Sequence, residues 1–269
     1  MLRRVGSART AKLTHLTCLT SYMSVKAFTT IAAMTEPITE PITQPITPSQ
    51  GWGVLHLFCR ASPLADAAAI AAAVKEAGSA PDHQVVPVAI LGHKADLAFL
   101  AIGPDLWRLR QLQTDLQGAG LDIVDSYVSL TELSEYSANV PEKQKTGRLY
   151  PVLPPDGMTS FCFYPMSKRR DAGQNWFTLP YDDRLALMYE HGTSGRKFAG
   201  RIVQLVTGSA GIDDYEWGVT LFGAHPDDLK DCVYTMRFDQ ASALYADFGP
   251  FYTGLLGSLD EILTRAGIT

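Results

Sequence analysis

The segment QVVPVAILGHKADLAFLAI, residues 84–102, consists of two short apolar runs on either side of a Gly-His-Lys turn. Such runs, bounded by turn residues, read as paired strands, Gln84–Leu91 and Asp96–Ile102. Upstream, Ser62-Pro63 opens an Ala-rich helix, Leu64–Ala77, with Ser62 as N-cap and Pro63 at the first helical position. Before it, WGVLHLFCR (Trp52–Arg60) reads as a strand. Downstream, Pro104-Asp105 starts a second helix that Gly118 and Gly120 close, and DIVDSYVSLTELS (Asp122–Ser134) is extended. The order is β-α-β-β-α-β.

The second half repeats it. TSFCFYPMSK (Thr159–Lys168) is a strand, and Pro180–His191 is a helix stopped by Gly192. FAGRIVQLVTG (Phe198–Gly208) and YEWGVTLF (Tyr215–Phe222) are strands around a GSAGIDD turn. Pro226–Lys230 is a short helix, DCVYTMRFD (Asp231–Asp239) a strand, and a further helix begins at Ala241. The chain closes on the amphipathic SLDEILTRAG, Ser258–Gly267. Two such runs predict an α+β fold, a duplicated ferredoxin-like unit forming a dimeric α/β barrel-like subunit. Each sheet carries helices on one face, so the other faces pack on each other or on a partner. The units are residues 51–135 and 159–269. The linker 136–158, rich in Pro, Lys and Glu, is expected as an exposed crossover loop beside the site.

The first 50 residues differ. Up to Met34 they carry Arg3, Arg4, Arg9, Lys12 and Lys26 without an acid, which fits a transit-type presequence or a start codon assigned too early. The second reading is preferred, with Met34 as the start. Leu13–Met34 is too polar for a membrane span. TEPITEPITQPITPSQ, Thr35–Gln50, is read as a disordered tail because repeated Pro blocks regular structure. The net charge of −5 lacks the basic surplus of a nucleic-acid binder. Cys18, Cys59, Cys162 and Cys232 form no CxxC pair, which points to reduced thiols in a cytoplasmic protein and to neither disulfides nor zinc.

No phosphate loop, nucleophile elbow or HExxH occurs. The informative residues lie in the second half. Leu187 and Met188 stand four and three residues before His191, so one helix face carries all three. His191 is either a packed histidine helped by the helix C-terminus or a metal ligand. No second His or Cys is placed to share zinc, whereas a haem iron needs a single protein ligand because the porphyrin supplies four nitrogens. In YPMSKRR, Tyr164, Met166 and Lys168 alternate onto one strand face. Phenol, thioether and ammonium in a row suit a flat ligand with carboxylate arms. Arg169 and Arg170 read as a solvated strand end, and Pro165 as the mark of a strand edge or end. Gln204 is an amide among aliphatics, either facing water or needing a buried partner. Asp239 and Ser242 have N-cap character; Ser242 is alternatively a donor to a ligand carboxylate.

Taken jointly, YPMSKRR, NWFTLPYDDR, LMYEHG, EWGVTLF and the FGPF region resemble the coproheme decarboxylases of the chlorite dismutase-like superfamily, from about Gly51 to Phe251. LYPVLPP with YPMSKRR is similar to the actinobacterial branch. The resemblance implies a homopentamer that converts Fe-coproporphyrin III (coproheme) to haem b with hydrogen peroxide, and coproporphyrin ferrochelatase as a partner. It implies His191 as axial iron ligand, Tyr164 as the radical-forming residue and Lys168 as its catalytic companion. It implies Gln204 on the distal side and Ser242, Arg196 and Arg148 at propionates. The actinobacterial branch carries a distal His in the loop before YPM; residues 136–157 contain none, and Tyr150 stands near that place. Chlorite dismutases use a distal Arg where Gln204 falls, which argues against chlorite chemistry. The competing classes are a haem peroxidase or chlorite dismutase, a haem carrier or sensor, and a ligand-free assembly module.

Overall fold

The computed structural model describes residues 44–269. The readings of the presequence, of the Met34 start, of Cys18 and of most of the Pro-rich repeat lie outside the described residues. Ile46, within the predicted tail, accepts a hydrogen bond from Leu106 N at 3.0 Å, so the tail's last residues run against the fold. Among the described residues no helix is long and apolar enough to cross a membrane.

The first half is β1 (Gly53–Ala61), α1 (Ala67–Ala77), β2 (Gln84–Ile90), β3 (Leu97–Gly103), α2 (Leu106–Gly118) and β4 (Leu121–Thr131), in the predicted order. The start of α1 differs from expectation. Ser62 Oγ accepts from Leu64 N in a local turn, and Asp66 is the N-cap, accepting from Ala69 N at 3.0 Å. The linker is not all loop: it contains α3 (Glu142–Leu149).

The second half is β5 (Ser160–Lys168), the short pair β6 (Arg170–Asp171) and β7 (Gln174–Asn175), a 3-10 turn Trp176–Thr178, and α4 (Tyr181–Arg196). Then follow β8 (Ile202–Gly208), β9 (Trp217–Gly223), α5 (Pro226–Met236), α6 (Gln240–Ala243), β10 (Ala246–Phe248), β11 (Tyr252–Leu256) and α7 (Leu259–Arg265). Two expectations fail here. Gly192 does not stop α4; its backbone continues the helix, and the first left-handed glycine is Gly200, with φ 81°. Residues 231–236 are helix and not strand, because Leu229, Cys232, Val233 and Met236 recur at helical spacing on an apolar stripe. The last strand position of the repeat therefore falls to β10 and β11.

The half-sheets do not stack as two layers. One antiparallel sheet runs in the order β10-β5-β11-β2-β3-β1-β4-β8-β9, and β9 also pairs with β5, so the pairings close a circuit. The halves join through Leu130↔Gly208 on one side and Gly254↔Ile90 on the other. The inner faces meet around the buried Phe58, Leu100, Phe161, Phe163 and Phe222. Polar pairs interrupt that core: His56 Nε2 lies 2.9 Å from Thr220 Oγ1, and Ser129 Oγ 2.8 Å from Thr207 Oγ1. Outside the first half, α1, α2 and α7 cover Leu55, Leu57 and Phe99. Outside the second half the cover is thinner, and a cavity remains.

Candidate active site

β5 sets the floor of this cavity. Its alternation turns Phe161 and Phe163 inward and Cys162, Tyr164 and Met166 outward. Contrary to expectation β5 is no edge strand. It pairs with β9 on one side and with β11 and then β10 on the other. Pro165 stands where that second neighbour breaks, between Phe163↔Tyr252 and Met166↔Phe248, so its missing N–H costs no ladder bond there. The break passes close overhead. Gly249 N donates to Pro165 O at 2.8 Å, and a Cβ on Gly249 would stand 2.6 Å from Pro165 Cγ. It also lays the Phe251 ring on Tyr164, centroids 4.5 Å apart and planes 22° apart.

The cavity measures about 510 Å³, within the range of small-molecule sites. Tyr164, Met166, Lys168, His191, Gln204, Ser242 and Arg148 all line it. Arg196 does not: its guanidinium donates to Thr193 Oγ1 at 2.6 Å and stacks on Tyr189, on the exposed side of α4. The unbroken α4 explains this, since five residues past His191 the helix has turned that side chain away. Tyr150 is also absent from the lining; its ring packs edge-on against Trp52 at 5.3 Å. Arg169 and Arg170 pair with Asp247 and Glu216 at 2.9 and 2.7 Å, as befits a strand end.

Met188 and His191 face the cavity from α4, one turn apart. Because α4 runs on to Arg196, the helix C-terminus does not act on the imidazole. Nδ1 of His191 instead lies 3.2 Å from Oδ2 of Asp239, off the line of a good hydrogen bond. Asp239 is 5% exposed through its side chain, and its Oδ1 accepts from Ser194 Oγ at 2.6 Å. Burial, with Lys168 nearby, holds the His191 pKa below its usual value, and Asp239 opposes that shift. A neutral imidazole whose Nδ1 faces an acceptor keeps the Nε2 lone pair free.

Lys168 is buried with its ammonium spoken for on two sides. Nζ donates to Ala241 O at 2.7 Å and lies 4.2 Å from the Trp176 ring centroid. Burial lowers its pKa to about 8, with Glu216 pulling the other way. Burial pushes the Tyr164 phenol up, so it stays protonated at neutral pH. The rim comes from Glu132 to Tyr136 and is pinned to α4 by Arg184, which reaches Glu135 at 3.1 Å and the Tyr136 hydroxyl at 3.1 Å.

Three residues escaped the sequence reading. Asp239 looked like an N-cap, and nothing in its surroundings along the chain marks it as the partner of His191. Arg237 lines the cavity with its guanidinium over Phe248 at 4.5 Å, and was hidden by the misread strand. Trp176 lies in a short 3-10 turn with no periodic pattern. An iron porphyrin suits this donor set. Among the described residues no group of three His, Cys, Asp or Glu could hold a bare metal ion, whereas one imidazole, apolar walls, a buried ammonium and two exposed guanidiniums suit a planar ligand with its own nitrogens and carboxylate arms.

The chain matches the family model described as chlorite dismutase over residues 64–257. It is 45% identical over 177 residues to a coproheme decarboxylase of Staphylococcus carnosus, covering 61% of this chain and 70% of that protein. With a longer relative from Natronomonas pharaonis it shares 42% over 181 residues, 61% of this chain but 30% of that protein's length. The structure superposes on a haem-binding protein from Thermus thermophilus with TM-score 0.73 and 33% identity, covering 84% of this chain and 98% of the other. It shares its fold with a chlorite dismutase variant from Candidatus Nitrospira defluvii at TM-score 0.64 and 20% identity, covering 81% and 97%.

Proposed function

Since the chain belongs to the chlorite dismutase family, we propose that it is an oxidoreductase that decarboxylates two propionates of coproheme with hydrogen peroxide, giving haem b. The observation that carries the reading is a buried phenol, Tyr164, on the same strand face as a buried ammonium, Lys168, in a cavity that His191 also lines from α4. Each propionate loses carbon dioxide, one proton and two electrons to become a vinyl group. One peroxide takes up the two electrons and two protons and becomes two waters.

The substrate's own iron, with peroxide, supplies the oxidising equivalents. The chain's residues do the rest. His191 holds the iron through Nε2, with Asp239 fixing the tautomer. Tyr164 yields an electron and its phenolic proton to those equivalents, and as a phenoxyl radical takes a hydrogen atom from the propionate arm, which then gives its second electron to the remaining oxidising equivalent and releases carbon dioxide. Lys168 holds that arm's carboxylate by a charge-assisted hydrogen bond, and Arg237, Arg148 and Ser242 take the other carboxylates. Placement is decisive, because the phenoxyl must meet one carbon of one arm; the Phe251 stack and the β5 ladder restrain the ring. Gln204 offers an amide from the sheet wall to the peroxide side. A pentameric ring, a cytoplasmic site of action and exchange with a coproporphyrin ferrochelatase belong to the same proposal.

The test is to titrate peroxide into the coproheme complex and follow the porphyrin by mass spectrometry, for wild type and Tyr164→Phe. Wild type passes through the singly decarboxylated species to haem b. The variant keeps its ring and packing, binds coproheme, and yields no haem b. Product at the wild-type rate from Tyr164→Phe would remove the radical role, and no mass change in wild type would leave a haem carrier.

A further inference from the structure

Tyr252 opens β11 opposite Phe163, one residue along β5 from Tyr164, and points to the inner face. Its ring stacks on Phe58 at 3.7 Å with planes 18° apart, and it is 6% exposed. Its hydroxyl donates to Oδ2 of Asp125 at 2.5 Å, and Asp125 is exposed on β4. Taking an electron alone from a buried phenol leaves a charge that burial penalises. A carboxylate in line with the O–H removes the proton in the same event and passes it to water. Tyr127, in the same interior, lacks this: its hydroxyl meets the Ser209 hydroxyl and the Tyr215 carbonyl, neither of which is a base.

Tyr252 is also joined to the site. The ring stacked on Tyr164 is Phe251, its neighbour along the chain. Lys94 pins this junction, donating to Phe251 O at 2.6 Å with Nζ 5.4 Å from the Tyr252 ring centroid. That cation disfavours a charged radical but not a neutral phenoxyl, so it adds to the demand for a proton acceptor.

We propose that Tyr252, with Asp125 as its proton acceptor, is a second redox-active tyrosine, which takes the oxidising equivalent from Tyr164 when no propionate is in place to consume it. This rests on the radical role of Tyr164 given above. In the step, the Tyr164 phenoxyl gains one electron through Phe251 and one proton from cavity water, and becomes a phenol again. Tyr252 loses one electron and gives its proton to Asp125, which releases it to solvent. The hole then sits across the sheet from the porphyrin, where it cannot bleach it.

The experiment mixes the coproheme complex of the full chain, grown with ring-deuterated tyrosine or without, with excess peroxide, freezes it at successive times, and records high-field electron paramagnetic resonance. Haem b is measured in the same samples. Wild type should give a late tyrosyl signal that narrows on deuteration and has the lowered g-value of a hydrogen-bonded phenoxyl. Tyr252→Phe should lose that signal yet still make haem b, with faster bleaching at excess peroxide. Asp125→Asn, which keeps Tyr252, should lose it as well. A late tyrosyl signal unchanged in Tyr252→Phe, or no such signal in wild type, overturns the inference. Haem b formed in those samples leaves the proposed function standing; its absence brings both down.

Discussion

Replacing Asp239 by Asn keeps the side chain's shape, turns one acceptor oxygen into an NH2 donor and removes the negative charge. The carboxylate is buried, accepts from Ser194 at 2.6 Å through Oδ1 and faces His191 Nδ1 at 3.2 Å through Oδ2. As an acceptor only, it selects the imidazole tautomer with the proton on Nδ1, leaving Nε2 free to hold iron. An Asn that keeps the Ser194 bond at its oxygen turns its NH2 toward Nδ1. It then stabilises the opposite tautomer, whose Nε2 carries a proton and cannot ligate. The reversed amide keeps the tautomer but surrenders the negative charge that makes the ligand more basic. Either way coproheme affinity should fall by about 10- to 100-fold, the usual cost of losing the partner of a metal-bound histidine, or roughly 1.4 to 2.7 kcal/mol. The assay is titration of the ligand-free protein with ferric coproheme, with resonance Raman of the ferrous complex to read the iron–histidine stretch, which should drop in frequency. Because Asn is isosteric, thermal unfolding of the ligand-free protein should change far less than affinity. Unchanged affinity and stretch in Asp239→Asn would refute the linkage of Asp239 to the iron through His191.

Other outcomes follow from the same geometry. Lys168 in the free protein titrates near pH 8, and a bound carboxylate raises its pKa; affinity for coproheme should be flat below pH 8 and fall by up to about tenfold per unit above it, a dependence absent in Lys168→Met. His56 is buried neutral with its pKa lowered to about 3 from 6.5, so protons bind the unfolded chain first as pH falls. The stability it preserves is complete above pH 6.5 and lost between 6.5 and 3, about 2 kcal/mol by pH 5; urea midpoints at pH 7 and pH 5 should separate less in His56→Gln, and an equal separation would show that other groups dominate. Arg237→Ala should weaken coproheme binding by roughly 1.5 to 3 kcal/mol, the value of a hydrogen bond to a charged group, while Arg196→Ala should leave it unchanged; the reverse pattern in equilibrium titrations would restore Arg196 to the site.

The order of elements was legible because it rests on local periodicity, and so were most of the pocket residues, because strand alternation and one helix turn relate Tyr164 to Lys168 and Met188 to His191. What was not legible rests on contacts distant in sequence. Gly192 read as a stop, yet α4 continues and Ser194 is tied to Asp239, forty-five positions away along the chain. Residues 231–236 read as a strand because a short apolar run satisfies both periods, and the packing of Leu229 and Cys232 on the sheet decides for helix. Pro165 reads as a strand edge or end, and only the pairing of β5 on both sides shows it filling a gap between two neighbouring strands.

The duplication itself explains why the cavity of about 510 Å³ lies over the second half's part of the sheet. β1 and β5 are both nine-residue strands, and their third, fifth and seventh residues face outward: Leu55, Leu57 and Cys59 in the first, Cys162, Tyr164 and Met166 in the second. The first set is sealed beneath α1, α2 and α7. But α7 belongs, in chain order, to the second half; β11 pairs with β2 and carries the chain's end across, so Ile262, Leu263 and Ile268 pack on the first half's core. The second half thus lends its last helix away, and α4, α5 and the short α6 leave about 510 Å³ uncovered over β5, β8 and β9. At the same strand positions one copy places aliphatic groups that demand a cover. The other places a phenol and a thioether, with Lys168 two residues on where β1 has Ala61, and these tolerate a polar, planar guest.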